Sequence, residues 1–298
     1  MTGPRPGTPA AWVRTARLPT LAAAVVPVLV GAALAARGGR FRPGPAIAAL
    51  LGAVFIQVGT NLANDLGDHR RGADTAERLG PRRALQMGWL TVAQVRTGAI
   101  ACFALATLAG VYLTAAAGWP VIAIGLLSIA AGLAYTGGPF PLAYNGLGEI
   151  FVFLFFGLVA VGGTYFVIAR DMHFWVLLAA VPVGTLAMAL LVVNNVRDIE
   201  TDRAAGKRTL AVRVGRDRTR GIYKSLLMTA YLAPFALVGT GHVGSWAMLP
   251  AVTLPLGLAE VRRVATKEDG PSLNRALHGT ARLQILFGVL FAIGILLP

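Results

Sequence analysis

The sequence predicts an all-α, polytopic membrane protein with nine transmembrane helices. Hydrophobic residues make up 56% of the 298-residue chain and charged residues only 13%, and the mean hydropathy is +0.66. A soluble globule of this length needs more polar surface than this composition provides. Long uncharged runs alternate with short basic loops, which is the pattern of helices that cross a bilayer.

The uncharged runs locate these helices in order along the chain. A run of about 20 residues is long enough to cross the hydrocarbon core as a helix. Two runs are too long for one crossing, and turn residues divide them near Pro120 and between residues 239 and 245. The last helix is expected to begin near Leu277, because residues 283–298 alone are short for a span. The predicted helices cover residues 18–36, 43–64, 97–116, 120–136, 150–169, 172–196, two within 225–259, and 277–297.

The net charge of +14 is explained by membrane topology. The 27 lysines and arginines are scattered through short loops and form no continuous basic face, so no nucleic-acid partner is expected. Basic residues near spans concentrate on the cytoplasmic side. A cytoplasmic N-terminus leaves only Arg37, Arg40, Arg42 and Arg170 on the other side.

The first polar motif, NLANDLGDHRRGAD, covers residues 61–74 and ends a long uncharged run. Asn61, Asp65 and Asp68 stand at positions i, i+4 and i+7, so they share one face of a helix. Clustered carboxylates repel one another unless a cation joins them. A hard ion such as Mg²⁺ suits these oxygen ligands and usually brings phosphate oxygens with it.

A second motif, NNVRDIETDRAAGK at residues 194–207, repeats this pattern with Asn194, Asp198 and Asp202. We predict one domain over residues 1–298 with two pseudo-repeated halves, about 12–136 and 148–261, followed by a ninth helix. Either motif alone could be a solvated helix cap, since Asp and Asn are common at helix ends. Two matching motifs favour a functional site, because polar groups at membrane depth are costly.

Basic residues follow both motifs and indicate a diphosphate site. Guanidinium groups bind phosphate oxygens bidentately, while magnesium bridges such oxygens to carboxylates. The general excess of bases in cytoplasmic loops is the alternative explanation for part of them. Arg83 lies in the first basic cluster, and the residues assigned to the diphosphate are Arg70, Arg71, Arg78, Arg82, Lys207 and Arg208.

A diphosphate held at a helix end beside an apolar interior indicates a lipid-tailed substrate. When metal-bound diphosphate leaves an allylic carbon, the resulting cation is stabilised by a dry, aromatic-lined pocket. The segment YTGGPFPLAYNGLGE, residues 135–149, is a candidate wall of that pocket, although its glycines and prolines also suit a plain turn. The expected acceptor pocket contains Arg17, Gln57, Tyr135, Tyr144 and Asn145, and the expected catalytic residues are Asn61, Asp65, Asp198 and Tyr135.

The two motifs resemble the aspartate-rich motifs of the UbiA-type intramembrane prenyltransferases. WVRTARLPTLAAAVVPVLVG, RLGPRRALQMGW and YTGGPFPLAYNGLGE extend the resemblance from residue 12 to about residue 215. Leu18 departs from the family pattern, which usually reads Arg-Pro at ARLPT. The resemblance implies helices around a central cavity, an isoprenoid that enters from the lipid, and two magnesium ions. The matching metal ligands are Asn61, Asp65, Asp68, Asp74, Asn194, Asp198 and Asp202.

Within that family the resemblance is strongest to the branch that prenylates 1,4-dihydroxy-2-naphthoate in menaquinone biosynthesis. It implies a magnesium-dependent transferase in the bacterial cytoplasmic (inner) membrane, with its active site facing the cytoplasm. The implied reaction joins polyprenyl diphosphate and dihydroxynaphthoate, releases diphosphate and carbon dioxide, and gives demethylmenaquinone.

Two alternatives remain from the residues themselves. A related membrane prenyltransferase with another aromatic acceptor, such as 4-hydroxybenzoate, is the alternative within the family. A cation-coupled transporter is the alternative from another class, because repeated halves with intramembrane acids also form ion paths. The acids lie at helix ends followed by arginine-rich loops, however, and that layout favours the binding of an anionic head group.

Overall fold

The computed structural model of the chain describes residues 4–72, 79–80 and 83–298. All regular secondary structure within these ranges is helical, which confirms the predicted fold class. Two 3₁₀ segments, Ala143–Asn145 and Ser245–Thr253, interrupt the α-helices. The described α-helices are α1 (Pro9–Ala16), α2 (Leu18–Arg37), α3 (Pro43–Arg70), α4 (Val92–Ala117), α5 (Pro120–Ala134), α6 (Gly148–Ala169), α7 (Phe174–Arg197), α8 (Ile199–Ala204), α9 (Leu210–Val214), α10 (Arg216–Gly239), α11 (Leu254–Thr266) and α12 (Gly270–Leu296).

Seven of the described helices are long and apolar enough to cross a membrane, namely α2, α3, α4, α6, α7, α10 and α12. The chain is therefore a multi-pass membrane protein. Helix α5 is apolar but has only 15 residues, and the 3₁₀ segment Ser245–Thr253 leads into α11. Length and hydropathy identify seven spanning helices among the described residues, so these criteria do not reproduce the predicted count of nine. It stays a prediction, as does the division into two pseudo-repeated halves.

Two predicted helix starts are wrong. Helix α12 begins at Gly270 and not near Leu277, because the Asp269 side chain accepts a 2.8 Å hydrogen bond from the Ser272 backbone N–H and caps additional turns. Helix α10 begins at Arg216, well before the uncharged run that starts at Ser225. Charged residues mark where a helix leaves the apolar layer, and these two helices continue beyond that boundary.

Helix α7 forms the centre of the bundle. It packs against α2, α6, α10 and α12, and most of its side chains are buried. Its contact with α6 is close because both helices have a glycine there: a Cβ atom at Gly157 would lie 2.8 Å from the Gly184 Cα atom. Small residues allow such close approach in lipid, where helices associate by packing and not by the hydrophobic effect. In the same region α6 has π-helical turns over Phe153–Val159.

The end of the bundle that carries Arg42, at the start of α3, lies about 35 Å along that helix from Asp65. Three arginines at this end donate to backbone carbonyls at the C-terminal ends of helices. Arg37 donates to the Leu297 oxygen at 2.5 Å, Arg42 to the Ile168 oxygen at 2.7 Å, and Arg170 to the Ala116 oxygen at 2.7 Å. A cation at a helix C-terminus is stabilised by the helix dipole. These arginines therefore have a structural role at the end opposite both motifs.

Candidate active site

A cavity of about 410 Å³ lies among α2, α3, α4, α5, α6 and α7. Its interior is apolar, with small side chains on α2, α3 and α5, and with Phe151, Phe155 and Phe156 on α6. Its other end is polar, and both motifs contribute to it although α4, α5 and α6 separate them in sequence. The polar residues at this end are Arg17, Asn61, Asn64, Asp68, Arg83, Asn194, Asn195, Asp198, Asp202 and Lys207.

The first motif occupies the last turns of α3, where its carboxylates are buried. Asp65 and Asp68 are only 1% and 2% exposed. The Arg83 guanidinium donates to Asp65 and, through Nη2, to Asp68 Oδ2 at 3.1 Å. Arg17 also donates to Asp65 from the turn between α1 and α2, where its backbone has a φ of 57°. Asp65 thus lies behind two arginines and is not among the cavity-lining residues of the described chain.

Asn61 and Asn64 brace the helices around the first motif. The Asn61 amide donates to the Ala16 oxygen at 3.0 Å and to Thr20 Oγ1 at 2.9 Å, which connects α3 to the start of α2. Asn64 Oδ1 accepts a hydrogen bond of 2.9 Å from the Thr136 hydroxyl. These two amides hold the elements that surround the polar end of the cavity.

The second motif is organised by Arg197, which is 2% exposed. Its Nε and Nη2 atoms bind the two oxygens of Asp198 at 2.8 and 2.6 Å, and Nη2 also donates to Asn194 Oδ1 at 2.7 Å. Its Nη1 atom donates to Asn274 Oδ1 on α12 at 2.7 Å, and the Asn274 amide donates to the Leu79 oxygen at 2.9 Å. Helix α12 therefore joins the second motif to the segment that follows the first.

Lys207 connects the two motifs. Its Nζ atom lies 3.2 Å from Asp68 Oδ1 and 3.9 Å from Asp202 Oδ1. The Tyr144 hydroxyl donates to the same Asp68 oxygen at 3.0 Å, and the lysine Nζ lies 4.9 Å from the centre of the tyrosine ring. Burial, followed by the negative charge of Asp68, raises the pKa of Tyr144. The phenol therefore remains protonated and continues to donate to the carboxylate.

The other predicted diphosphate ligands lie at the surface or outside the described residues. Arg70 is exposed at the end of α3. Arg71 donates to two backbone carbonyls in the turn after α5 and stacks over the Tyr144 ring at 5.2 Å. Arg208 is exposed, and its backbone N–H donates to the Tyr144 carbonyl oxygen at 2.9 Å. Asp74, Arg78 and Arg82 lie outside the described residues, so their roles stay predictions.

Three of the five predicted acceptor-pocket residues, Arg17, Gln57 and Tyr135, line the cavity. Gln57 lies one turn deeper than Asn61 on α3 and is buried. Tyr135 follows the last residue of α5, and its hydroxyl packs against Gly148, where a Cβ atom would lie 3.1 Å away. These positions suit a planar ring bound between α3 and α6.

The structure places Tyr144 and Asn145 differently from the prediction. Neither is among the cavity-lining residues of the described chain. Tyr144 contacts the site through Asp68. The Asn145 side chain donates to the Pro141 oxygen at 2.8 Å within its own turn, so the plain-turn interpretation describes this residue better than an acceptor pocket does.

Sequence reasoning missed three contributors to the site. Arg83 is only one of several bases in a loop of the sequence, yet among the described residues it binds both Asp65 and Asp68. Arg197 was visible within NNVRD but indistinguishable from a topology-setting base until its burial was known. Glu149, which binds Asn195, lies in a segment whose predicted contributors are two tyrosines and Asn145. No sequence signal separates a buried arginine from an exposed one in a basic loop.

The donor set at the polar end of the cavity fits magnesium only together with a substrate. No three His, Cys, Asp or Glu side chains of the described residues converge as a metal site by themselves. The available ligands are carboxylate and amide oxygens from both motifs around one space. Magnesium commonly takes one or two carboxylates and completes its shell with water and phosphate oxygens. This chemistry agrees with a metal held jointly by Asp68, Asp198, Asp202 and a diphosphate.

The fold and the two motifs have clear relatives among known proteins. Residues 24–293 match the UbiA prenyltransferase family. The chain belongs to this family. The resemblance seen in the aspartate-rich motifs is thereby confirmed, and the family match leaves the transporter alternative without support.

Bacterial relatives in the UbiA family share about a third of their residues with this chain. The 1,4-dihydroxy-2-naphthoate octaprenyltransferase of Escherichia coli is 37% identical over 96% of this chain and 95% of its own length. The protein of the same name from Mycobacterium tuberculosis is 38% identical over 95% of this chain and 96% of its own. The similarity therefore covers nearly the full length of these proteins.

Solved structures of UbiA homologs share the fold. The apo structure of a homolog from Aeropyrum pernix has a TM-score of 0.72 at 16% identity, covering 92% of this chain and 97% of that one. A homolog from Archaeoglobus fulgidus bound to DMAPP and Mg²⁺ has a TM-score of 0.68 at 18% identity, covering 96% and 98%. At this level of identity the comparison concerns the arrangement of helices.

Proposed function

We propose that this protein transfers a polyprenyl group from polyprenyl diphosphate to 1,4-dihydroxy-2-naphthoate. Diphosphate and carbon dioxide leave, and the ring product is the quinol form of demethylmenaquinone. The observation that carries this proposal is a cavity shared by both motifs, in which their acids and bases meet an apolar, phenylalanine-lined interior. The naphthoate-specific names of relatives that are 37 and 38% identical over nearly the whole chain support the choice of acceptor.

The polar end of the cavity suits the diphosphate group. Lys207 and Arg83 line it and supply positive charge close to Asp68. Arginine and lysine bind phosphate oxygens through charge-assisted hydrogen bonds. Magnesium bound by Asp68, Asp198 and Asp202 would supply the further positive charge that makes diphosphate a better leaving group. We infer two such ions, one associated with each motif.

The apolar part of the cavity suits the prenyl chain and the allylic cation. Phe151, Phe155 and Tyr135 line this part, and aromatic faces attract cations most strongly where water is excluded. Departure of the diphosphate breaks the bond from the allylic carbon to oxygen. The acceptor ring carbon then forms a bond to that carbon, and carbon dioxide leaves from the same ring position. The protein's part is to hold both substrates in line and dry.

We infer that the site faces the cytoplasm of a bacterial cell. Both motifs lie at the end of the bundle that carries most of the basic loop residues. At the opposite end, Arg37, Arg42 and Arg170 are occupied as helix-capping groups and Arg40 pairs with Asp171. These four arginines are therefore compatible with a non-cytoplasmic position of the opposite end.

The acceptor assignment is tested by incubating the purified protein with Mg²⁺, a polyprenyl diphosphate and either dihydroxynaphthoate or 4-hydroxybenzoate. We expect a prenylated, decarboxylated naphthalene product and release of diphosphate. Product from 4-hydroxybenzoate alone would reject the naphthoate assignment while leaving prenyl transfer intact. Absence of product from both acceptors, in a preparation that still binds the diphosphate, would reject the proposed function as a whole.

A further inference from the structure

Four asparagines line the cavity, and one of them differs from the rest in its hydrogen bonding. The side-chain oxygens of Asn61, Asn64 and Asn194 accept from Gln57, Thr136 and Arg197, respectively. The oxygen of Asn195 has no hydrogen-bond donor among the described residues, although this residue is 6% exposed. A cavity-lining amide oxygen without a donor from the described residues is available to accept a hydrogen bond from a ligand.

The orientation of the Asn195 amide is set by Glu149. The Asn195 Nδ2 atom donates to Glu149 Oε1 at 2.7 Å, and Glu149 is 2% exposed at the start of α6. The nitrogen end of the amide therefore faces the Glu149 carboxyl group. Because the other end of a planar amide is its oxygen, Asn195 presents Oδ1 away from Glu149, at the cavity wall.

The depth of Asn195 matches the place where the second substrate must react. Asn195 precedes Asp198 by three residues, so it lies on the same side of α7 and about 4.5 Å deeper along the axis. The allylic carbon is attached to the diphosphate, whose head group belongs at the level of Asp198. Its reaction partner must therefore lie close to the level of Asn195, near Tyr135 and Phe151, which also line the cavity.

We propose that Asn195, held in orientation by Glu149, recognises the aromatic acceptor by accepting a hydrogen bond from one of its ring hydroxyl groups. This assignment makes Asn195 a specificity-determining residue and Glu149 its positioning residue. It rests on the proposed function for the identity of the acceptor. A ring without a hydroxyl at the contacted position leaves the amide oxygen unpaired, and a site built around a hydrogen bond discriminates against such analogues.

The test measures steady-state kinetics of wild type, Asn195→Ala and Glu149→Gln with each substrate varied in turn. Asn195→Ala should raise the KM for dihydroxynaphthoate by about 3- to 10-fold, as expected for one lost hydrogen bond, with little change in the KM for polyprenyl diphosphate. Glu149→Gln should also raise the acceptor KM, but by a smaller factor. A glutamine amide both donates and accepts hydrogen bonds, so it allows the Asn195 amide to rotate by about 180°. An equal rise for both substrates, or none for either, would overturn the assignment.

Analogues of the acceptor that lack one hydroxyl group show which hydroxyl group Asn195 contacts. 1-Hydroxy-2-naphthoate and 4-hydroxy-2-naphthoate each lack one of the acceptor's hydroxyl groups and serve as competitive inhibitors. The analogue that lacks the contacted hydroxyl should have the same Ki in wild type and Asn195→Ala, whereas the other should bind the variant more weakly. If both analogues lose affinity equally, Asn195 acts only through the fold and the inference is wrong.

The proposed function and this inference fail in different ways. If the wild-type protein prenylates only 4-hydroxybenzoate, the naphthoate assignment fails, and the same acceptor-specific change in KM is then expected with that phenol. If wild type prenylates neither acceptor, protection against thermal unfolding by dihydroxynaphthoate replaces turnover as the readout. Protection that is equal in wild type and Asn195→Ala rejects the inference in that case.

Discussion

The Lys207 ammonium lies 3.2 Å from Asp68 Oδ1, so the base that ends the second motif is paired with an acid of the first. This contact brings the two distant parts of the chain together at the polar end of the cavity. A charge-assisted contact of this kind contributes about 1.5–3 kcal/mol. Its lysine nitrogen keeps further donors for a phosphate oxygen.

Lys207→Met should therefore lower kcat/KM for polyprenyl diphosphate by about 10- to 100-fold. Lys207→Arg should retain more activity, because it keeps the charge and the phosphate-binding chemistry. Steady-state assays with varied diphosphate measure both effects. Lys224→Met is the matched control, since that lysine is exposed on α10. Equal activity of Lys207→Met and Lys224→Met would show that Lys207 does not bind the diphosphate.

Neutralising one aspartate of either motif should abolish most activity. Asp65→Asn leaves Arg17 and Arg83 without the carboxylate that both bind, and Asp198→Asn removes the charge opposite Arg197. Loss of a single stabilising group in an active site costs ~2.7–4 kcal/mol, which corresponds to about a hundredfold or more in rate. Additional magnesium should restore little, because the arrangement of the arginines is also lost.

Removal of metal is the companion experiment for the aspartate variants. EDTA should stop turnover by the wild-type protein, and excess magnesium should restore it. Glu268→Gln serves as the control variant and should keep wild-type rates, because Glu268 is exposed and far from both motifs in sequence. Near wild-type turnover by Asp198→Asn at low magnesium, or turnover that persists in EDTA, would contradict the magnesium assignment and favour the helix-cap explanation of the motifs.

The Tyr144 hydroxyl should influence the rate without producing a pH-dependent step below about pH 10, the ordinary pKa of tyrosine. Burial and the charge of Asp68 raise its pKa above that value. Its hydrogen bond therefore contributes fully to stability below the unfolded-state pKa and is lost only as the pH rises through the higher folded-state pKa. Tyr144→Phe should lower the rate by about 3- to 10-fold at every pH. A wild-type decline near pH 10 that Tyr144→Phe removes would contradict this assignment.

Asn274, which lies on α12, should influence magnesium binding by the second motif through its hydrogen bond with Arg197. Asn274→Ala removes the acceptor for Arg197 Nη1 and the donor to the Leu79 oxygen, so Arg197 should orient Asp198 less well. We expect a rise of about 3- to 10-fold in the magnesium concentration needed for half-maximal rate, with a smaller effect on the maximal rate. A magnesium titration of the initial rate measures this change. A lower thermal stability with an unchanged magnesium requirement would show that Asn274 acts only in packing.

Gly80 offers an independent test of the role of Arg197 in orienting Asp198. A Cβ atom at this position would lie 2.6 Å from Arg197 Nη2, a distance too short for unbonded atoms. Gly80→Ala should therefore displace the Arg197 side chain and raise the magnesium requirement in the same direction as Asn274→Ala. Gly221→Ala is the matched control, because a Cβ atom there meets no neighbouring atom within 4 Å and the residue is exposed on α10, away from the cavity-lining residues. Opposite changes in the two test variants would contradict a shared action through Arg197.

The helix pattern was largely predictable because membrane helices follow local chemistry. An uncharged run of sufficient length is helical in lipid, since the backbone must satisfy its own hydrogen bonds there. The runs therefore located both ends of α2, α3, α4, α5, α6 and α7 to within six residues. The early starts of α10 and α12 were missed because a helix that continues into water is controlled by capping, as at Asp269, and no longer by hydropathy.

The sequence by itself determined that both motifs are acidic, that each ends a membrane helix, and that bases follow them. Only the tertiary structure decided which partners they have. Arg83 binds both Asp65 and Asp68, Arg197 is buried against Asp198, and Asn145 turns away from the cavity. The reason is physical: periodicity specifies which face of one helix a side chain occupies, whereas burial and pairing depend on which other helices pack against that face.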